Sequence, residues 1–158
     1  MSPEFFLHSA LVPALKLLPA SMGSKEACAM IVTICLQESR LKYRRQINGP
    51  ARGYAQFEQG GGVRGVLTHQ ASKPHIKAVL YALDYDQDLD AEGCWIAIEH
   101  NDILAAAFAR LLLYTLPQAL PARNAPGMAW SQYLQGWRPG RPHRGTFDAF
   151  FEQAWKIV

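Results

Sequence analysis

Apolar side chains recur at intervals of three and four residues along much of the chain, the spacing that gives a helix one buried face. The clearest case is the segment 102–116, DILAAAFARLLLYTL. Asn101 precedes it as an N-cap residue, and Pro117 follows it where a helix would stop. Its small alanines allow a neighbouring helix to approach closely, so we expect this helix to lie in the core.

A second helical run, SKEACAMIVTICLQES, covers residues 24–39. Ser24 is suited to cap its first turn, and Glu26 lies where an acid complements the helix dipole. Similar patterns predict an N-terminal helix that opens at Ser2 and Pro3, bends at Pro13 and stops near residue 19. Further helices are predicted at residues 65–69, 74–83, 92–100, 128–137 and 146–158.

Composition and length agree with one folded, mainly helical unit. The chain has 158 residues, 49% of them hydrophobic and 18% charged, which is typical of a globular domain rather than a disordered one. We therefore expect a single domain over residues 1–158 with little or no sheet, apart from an irregular excursion near residues 47–57. The net charge of +3 suits an anionic polymer such as a bacterial wall without requiring one.

The segment 37–58, QESRLKYRRQINGPARGYAQFE, is more polar than the helices around it. Glu38 falls in the last turn of the predicted helix 24–39, where the negative end of the helix dipole and partial desolvation both disfavour a charged carboxylate. Both effects raise the pKa of a glutamate. Glu38 is therefore a candidate general acid for chemistry near neutral pH.

Several residues follow Glu38 at characteristic distances. Ser39 comes directly after it, and Ala51, Gly53 and Gln56 stand at offsets of 13, 15 and 18 residues. This pattern resembles the soluble lytic transglycosylase and goose-type lysozyme group of peptidoglycan-cleaving enzymes. In that group a Glu-Ser pair is followed at these offsets by a Gly-Ala-x-Gly-Leu-Met-Gln motif.

The resemblance covers about 20 residues, and it is incomplete. Residues 50–56 read PARGYAQ, so the first, fifth and sixth positions of the motif differ from the family pattern. The family also has a late helix with an Ala-Tyr-Asn motif whose tyrosine reaches the catalytic glutamate. Tyr133 is the best positional candidate for that tyrosine, although Leu134 stands where the asparagine would be.

The resemblance implies a mainly α (α+β lysozyme-like) domain with a substrate cleft beside Glu38. It also implies cleavage of the β-1,4 bond between MurNAc and GlcNAc in peptidoglycan. A single glutamate suffices in the transglycosylases, because it acts first as acid and then as base toward the sugar's own 6-hydroxyl. No cofactor takes part in that reaction.

The same resemblance implies roles for the residues that bind substrate. Ser39 and Gln56 would organise the site through hydrogen bonds, and Gly53 would let the backbone approach the sugar without a side chain between them. Tyr54, Trp137 and Tyr133 would offer aromatic faces to the sugar rings.

Two alternatives remain open from the residues alone. In a lysozyme-type muramidase a second carboxylate, Glu58 or one of the acids in 84–90, would position a water molecule for hydrolysis of the same bond. In a non-catalytic glycan-binding or virion-structural protein the fold would be kept without turnover. The Ala at position 55 and the incomplete Ala-Tyr-Asn motif favour this second alternative.

The resemblance implies peptidoglycan glycan strands as the partner, and the remaining features indicate no other class of partner. The basic turn 138–145 has no zinc module or recognition helix beside it, so we expect no nucleic-acid partner. His69 and His75 lack metal-ligand spacing, and no apolar run reaches the length of a membrane span. We expect a monomer that binds no metal.

The N-terminal segment does not read as a signal peptide. It lacks a basic start, and Glu4, Pro13 and Lys16 interrupt its apolar residues. We expect action at the bacterial cell wall or periplasm, reached by another route, as for a phage lysis protein or a virion-associated wall-degrading protein.

Overall fold

The computed structural model describes all residues, 1–158. The helices are α1 (Pro3–Phe6), α2 (Val12–Lys16), α3 (Lys25–Ser39), α4 (Arg64–Thr68), α5 (Lys73–Ala82), α6 (Ala91–His100), α7 (Asp102–Tyr114), α8 (Pro126–Trp137) and α9 (Arg144–Trp155). Two π-helical turns, at Leu7–Leu11 and Gln59–Val63, and a 3-10 turn at Ala20–Met22 complete the regular structure. The expectation of a mainly α domain is confirmed. No helix has the length and apolar character needed to span a membrane.

The N-terminal helix is interrupted just ahead of its internal proline. Ser2 caps α1 by accepting a hydrogen bond from the Phe5 N–H, as the sequence predicts. Pro13 has no N–H to donate to the preceding turn, and the chain passes through the π-helical turn Leu7–Leu11 before α2 begins. The wider turn accommodates the proline without ending the helical path.

Helix α3 runs through the middle of the molecule and is buried on all sides from Ala29 to Leu36. It packs mainly along α9 and also contacts α7. Ser24 caps it as predicted, and Arg40 ends it by adopting a left-handed conformation with φ of 56°. The helix therefore stops directly after Ser39, with Glu38 in its last turn.

Helix α7 forms the centre of the core, because every residue from Leu104 to Leu113 is buried. Asn101 caps it with a side-chain oxygen that accepts from the Leu104 N–H at 3.0 Å. Helices α2, α5 and α6 all pack against it.

The segment between α3 and the second π turn folds back on itself without forming a sheet. Isolated antiparallel bridges join Arg45 to Arg52 and Arg52 to Phe57. Arg44 fastens the segment to the start of α7 through two hydrogen bonds to Asp102, at 2.8 and 2.7 Å. The irregular excursion predicted near residues 47–57 therefore lies within an anchored, folded-back segment.

Candidate functional site

A groove of about 850 Å³ lies beside the C-terminal end of α3. Its walls are the residues that follow Gln56, including the glycine-rich π turn, together with the ends of α7 and α8 and the loop 138–143. Glu38 lines this groove. The sequence-predicted catalytic candidate therefore borders a space large enough for a ligand of several rings.

The Glu38 carboxylate meets the tyrosine that the sequence singled out. The Tyr133 hydroxyl donates a hydrogen bond to Glu38 Oε1 at 2.6 Å, although the two residues are 95 positions apart. Burial raises the pKa of Glu38 above its ordinary value, and the hydrogen bond from Tyr133 lowers it by a smaller amount. The net shift of the pKa is upward, which is the direction that a general acid requires.

Aromatic packing fixes the position of Tyr133. Its ring stacks on Phe147 of α9 with centroids 5.0 Å apart and lies 5.5 Å from Trp130. Burial and the neighbouring Glu38 carboxylate both raise the pKa of Tyr133, so its hydroxyl stays protonated and continues to donate. The packing of Tyr133 against Phe147 and Trp130 therefore holds its hydroxyl in position for the hydrogen bond to Glu38.

Ser39 stabilises the site without facing the groove. Its buried hydroxyl donates to the Tyr54 carbonyl oxygen at 2.7 Å and does not line the groove. This bond joins the end of α3 to the folded-back segment. Ser39 therefore organises the site through the backbone, without direct access to a ligand.

Three of the predicted substrate-binding residues line the groove: Tyr133, whose hydroxyl contacts Glu38, and also Gln56 and Trp137. The Gln56 amide nitrogen donates to the Gly53 carbonyl at 2.8 Å. The amide oxygen of Gln56 accepts no hydrogen bond from the protein. The Trp137 indole N–H donates to the Ala55 carbonyl at 2.8 Å. These hydrogen bonds therefore hold the Gln56 and Trp137 side chains in place at the wall of the groove.

The structure corrects the expectations for Gly53 and Tyr54, neither of which lines the groove. A Cβ on Gly53, where φ is +71°, would lie 2.6 Å from Ile98 Cγ2, so this glycine permits close packing on α6 rather than approach of a sugar. The Tyr54 ring is buried edge-on against Phe6, with the Arg44 guanidinium 4.7 Å from its centroid. Its face is already covered by protein.

Glu58 is the one carboxylate besides Glu38 among the residues that line the groove. The acids of residues 84–90, also considered as a second carboxylate, do not line it. Asp90 instead caps α6, accepting from the Gly93 N–H at 2.8 Å, as an acidic capping loop is expected to do. If a second carboxylate acts in this groove, it is Glu58.

Four arginines around the groove were not predicted as site residues: Arg40, Arg64, Arg138 and Arg141. None of them forms an ion pair. Only Glu38 and Glu58 oppose them among the lining residues, so the groove carries an excess of positive charge. The four arginines come from different parts of the chain. In the sequence only the basic turn 138–145 drew attention to any of them, namely Arg138 and Arg141.

No group of three or more His, Cys, Asp or Glu side chains is arranged to hold a metal ion. The chain matches no protein-family model, no curated protein and no solved structure.

Replacing Glu38 by Gln is expected to stabilise the protein at neutral pH. Because burial raises the pKa of Glu38, protonation of this carboxyl favours folding. That contribution is fully present below the unfolded-state pKa of about 4.3 and is lost as the pH rises through the higher folded-state pKa. In urea denaturation, Glu38→Gln should exceed the parent in unfolding free energy at pH 7, and the difference should shrink toward pH 4.

Glu152 is exposed and provides a control in which the pH dependence of stability has the opposite sign. A hydrogen bond from Lys156 lowers the pKa of Glu152, so its ionised form favours folding. Glu152→Gln should lose stability relative to the parent as the pH rises from 4 to 7. A Glu38→Gln variant that is less stable than the parent by the same amount at both pH values would contradict the raised pKa.

Proposed function

We propose that this protein is a lysozyme-like lytic transglycosylase that cleaves the β-1,4 bond between MurNAc and GlcNAc in peptidoglycan. The observation that carries the proposal is the contact between Tyr133 and Glu38, a carboxyl with raised pKa at the edge of a large groove. The Glu-Ser pair and the matching positions at Ala51, Gly53 and Gln56 support it from the sequence. Its site of action would be the bacterial cell wall, in keeping with a phage lysis or virion-associated protein.

In the proposed reaction, protonated Glu38 gives its proton to the glycosidic oxygen as the bond from that oxygen to the anomeric carbon breaks. The ionised Glu38 then takes the proton of the sugar's 6-hydroxyl while the hydroxyl oxygen bonds to the anomeric carbon. The product is a 1,6-anhydro sugar, and no water is consumed. Tyr133 favours the ionised form of Glu38 between the two proton transfers, because its hydroxyl donates to the carboxylate.

The remaining groove residues suit a sugar chain with negative charges. The free amide oxygen of Gln56 is available to accept from a sugar hydroxyl, and Trp137 offers an aromatic ring. The unpaired guanidinium groups, such as those of Arg64 and Arg141, suit the carboxylates that peptidoglycan strands carry on their peptide stems. A neutral polysaccharide such as chitin would leave these charges without partners.

A second candidate, hydrolysis by a lysozyme-type muramidase, is favoured by one observation. Glu58 lines the same groove as Glu38 and would be the carboxylate that positions water. A non-catalytic glycan-binding protein is the third candidate, consistent with the Ala at position 55. The products of digestion separate the three.

The test of this function is digestion of purified peptidoglycan by the parent and by Glu38→Gln, with mass analysis of the released muropeptides. We expect parent products lighter by one water than hydrolysis products. Release should fall by about 100-fold or more in Glu38→Gln, since general acid catalysis contributes roughly 10²–10⁴-fold. Glu58→Gln, the matched control on the same groove, should still yield the anhydro products.

Hydrated reducing ends that disappear in both Glu38→Gln and Glu58→Gln would replace transglycosylation by hydrolysis. Binding of the strands without any product would favour the non-catalytic protein. A Glu38→Gln variant as active as the parent would refute the assignment of Glu38.

A separate prediction concerns the arginines. Arg64→Gln and Arg141→Gln should each slow peptidoglycan digestion by up to about 5-fold at low salt, because an exposed ion pair contributes roughly 0.2–1 kcal/mol. Exposed Arg123, which does not line the groove, provides the control variant Arg123→Gln. Raising the salt concentration should slow the parent and narrow its difference from the two groove variants. Equal rates in all three variants at every salt concentration would contradict a role in binding anionic strands.

A further inference from the structure

A second cavity, of about 530 Å³, lies away from Glu38. It is formed by the residues just before and within the first turn of α3, the C-terminal end of α7 and the loop that follows α7. Leu116 is the only residue that it shares with the groove. Its size is in the range of small-molecule pockets, about 300–1,000 Å³.

Arg110 lines this cavity and is unusual in its surroundings. It is the only charged residue in the buried stretch 104–113 of α7, and only 6% of its surface is exposed. Its Nε donates to the Met22 carbonyl oxygen at 2.9 Å. No carboxylate forms an ion pair with it, although a buried charge is costly without a partner.

The tip of the Arg110 guanidinium has no hydrogen-bond partner in the protein. Its two Nη nitrogens make no hydrogen bond within the chain, and neither is sealed from solvent. Since Arg110 borders the cavity, these nitrogens are accessible from it. Burial lowers the pKa of Arg110, but an arginine side chain remains charged at neutral pH.

The other cavity residues leave this charge uncompensated. Glu26 is the only acid that lines the cavity, and it forms no ion pair with Arg110. Hydrogen bonds with the backbone of Glu26 and with the Ser24 side chain lower the pKa of Glu26, which favours its charged form. The negative charge of Glu26 lies at the start of α3. Ser21 and Gln118 add neutral polar groups, and the Tyr114 ring centroid lies 5.7 Å from the guanidinium carbon.

We propose that this cavity binds a small molecule through an oxyanion group, a phosphate or a carboxylate, held by the two Nη nitrogens of Arg110. Two parallel N–H groups of a guanidinium match the paired oxygens of either anion. The N-terminal end of α3 adds a favourable dipole at the cavity wall. The volume leaves room for the body of the molecule beyond its anionic group. The site is independent of the proposed glycan cleavage.

The test uses the full chain and measures its thermal unfolding midpoint at constant ionic strength, with inorganic phosphate, acetate or chloride as the varied anion. Phosphate or acetate should raise the midpoint in a saturable manner, because a ligand that binds only the folded state stabilises it. Chloride should not. A response to phosphate alone identifies a phosphate site, and a response to acetate alone identifies a carboxylate site.

Variants then locate the binding site. Arg110→Met should abolish the response, whereas Arg123→Met, which alters an exposed arginine outside the cavity, should keep it. An equal response in the parent and in Arg110→Met would overturn the proposal. So would the absence of any saturable response in the parent, which would leave Arg110 with only its structural bond to Met22.

A second variant keeps the test decisive if Arg110→Met does not fold. Glu26→Gln removes the only negative charge from the cavity lining and leaves Arg110 in place. The anion that stabilises the parent should then bind several-fold more tightly, as seen in a lower half-saturating concentration. An unchanged titration in Glu26→Gln would place the anion elsewhere on the protein and overturn the proposal.

Discussion

The hydrogen bond between Tyr133 and Glu38 is the interaction on which the site depends. It depends on where α3 ends and on how α8 is oriented. Helix α3 stops at the left-handed residue Arg40, which leaves Glu38 in its last turn beside the groove. Helix α8 is oriented by the stacking of Tyr133 on Phe147 of α9, and α9 in turn packs along α3. The aromatic core between these helices therefore sets the geometry of the carboxyl.

The same burial that suits Glu38 to proton transfer opposes folding when its carboxyl is ionised. Such a cost is expected at functional sites, where a group is held in an environment that shifts its pKa. The surrounding residues limit the cost without removing it. Tyr133 supplies one hydrogen bond, and Ser39 anchors the adjacent backbone to the Tyr54 carbonyl.

Regular elements could be predicted from the sequence because their signals are local. Ser24 and Asn101 cap the helices that they were predicted to cap, and the apolar spacing of residues 102–116 indicated that this helix lies in the core. The irregular segment around Gly53 was harder to interpret. Nothing in the local sequence shows that Gly53 faces Ile98 or that the Tyr54 ring is covered, because those contacts depend on how distant helices pack. The gathering of unpaired arginines at the groove is likewise a tertiary feature.

The role of Glu38 as a proton donor is tested most directly by titrating its carboxyl carbon by NMR. The protein is labelled with carbon-13 glutamate, and Glu38→Gln serves to assign the resonance. The midpoint should lie above the ordinary glutamate value of about 4.3, because burial raises the pKa of Glu38. The midpoint should rise further in Tyr133→Phe, because the hydroxyl that favours the ionised form is then absent. A Glu38 midpoint at or below the ordinary value, or one that falls in Tyr133→Phe, would contradict the role of this carboxyl as a proton donor.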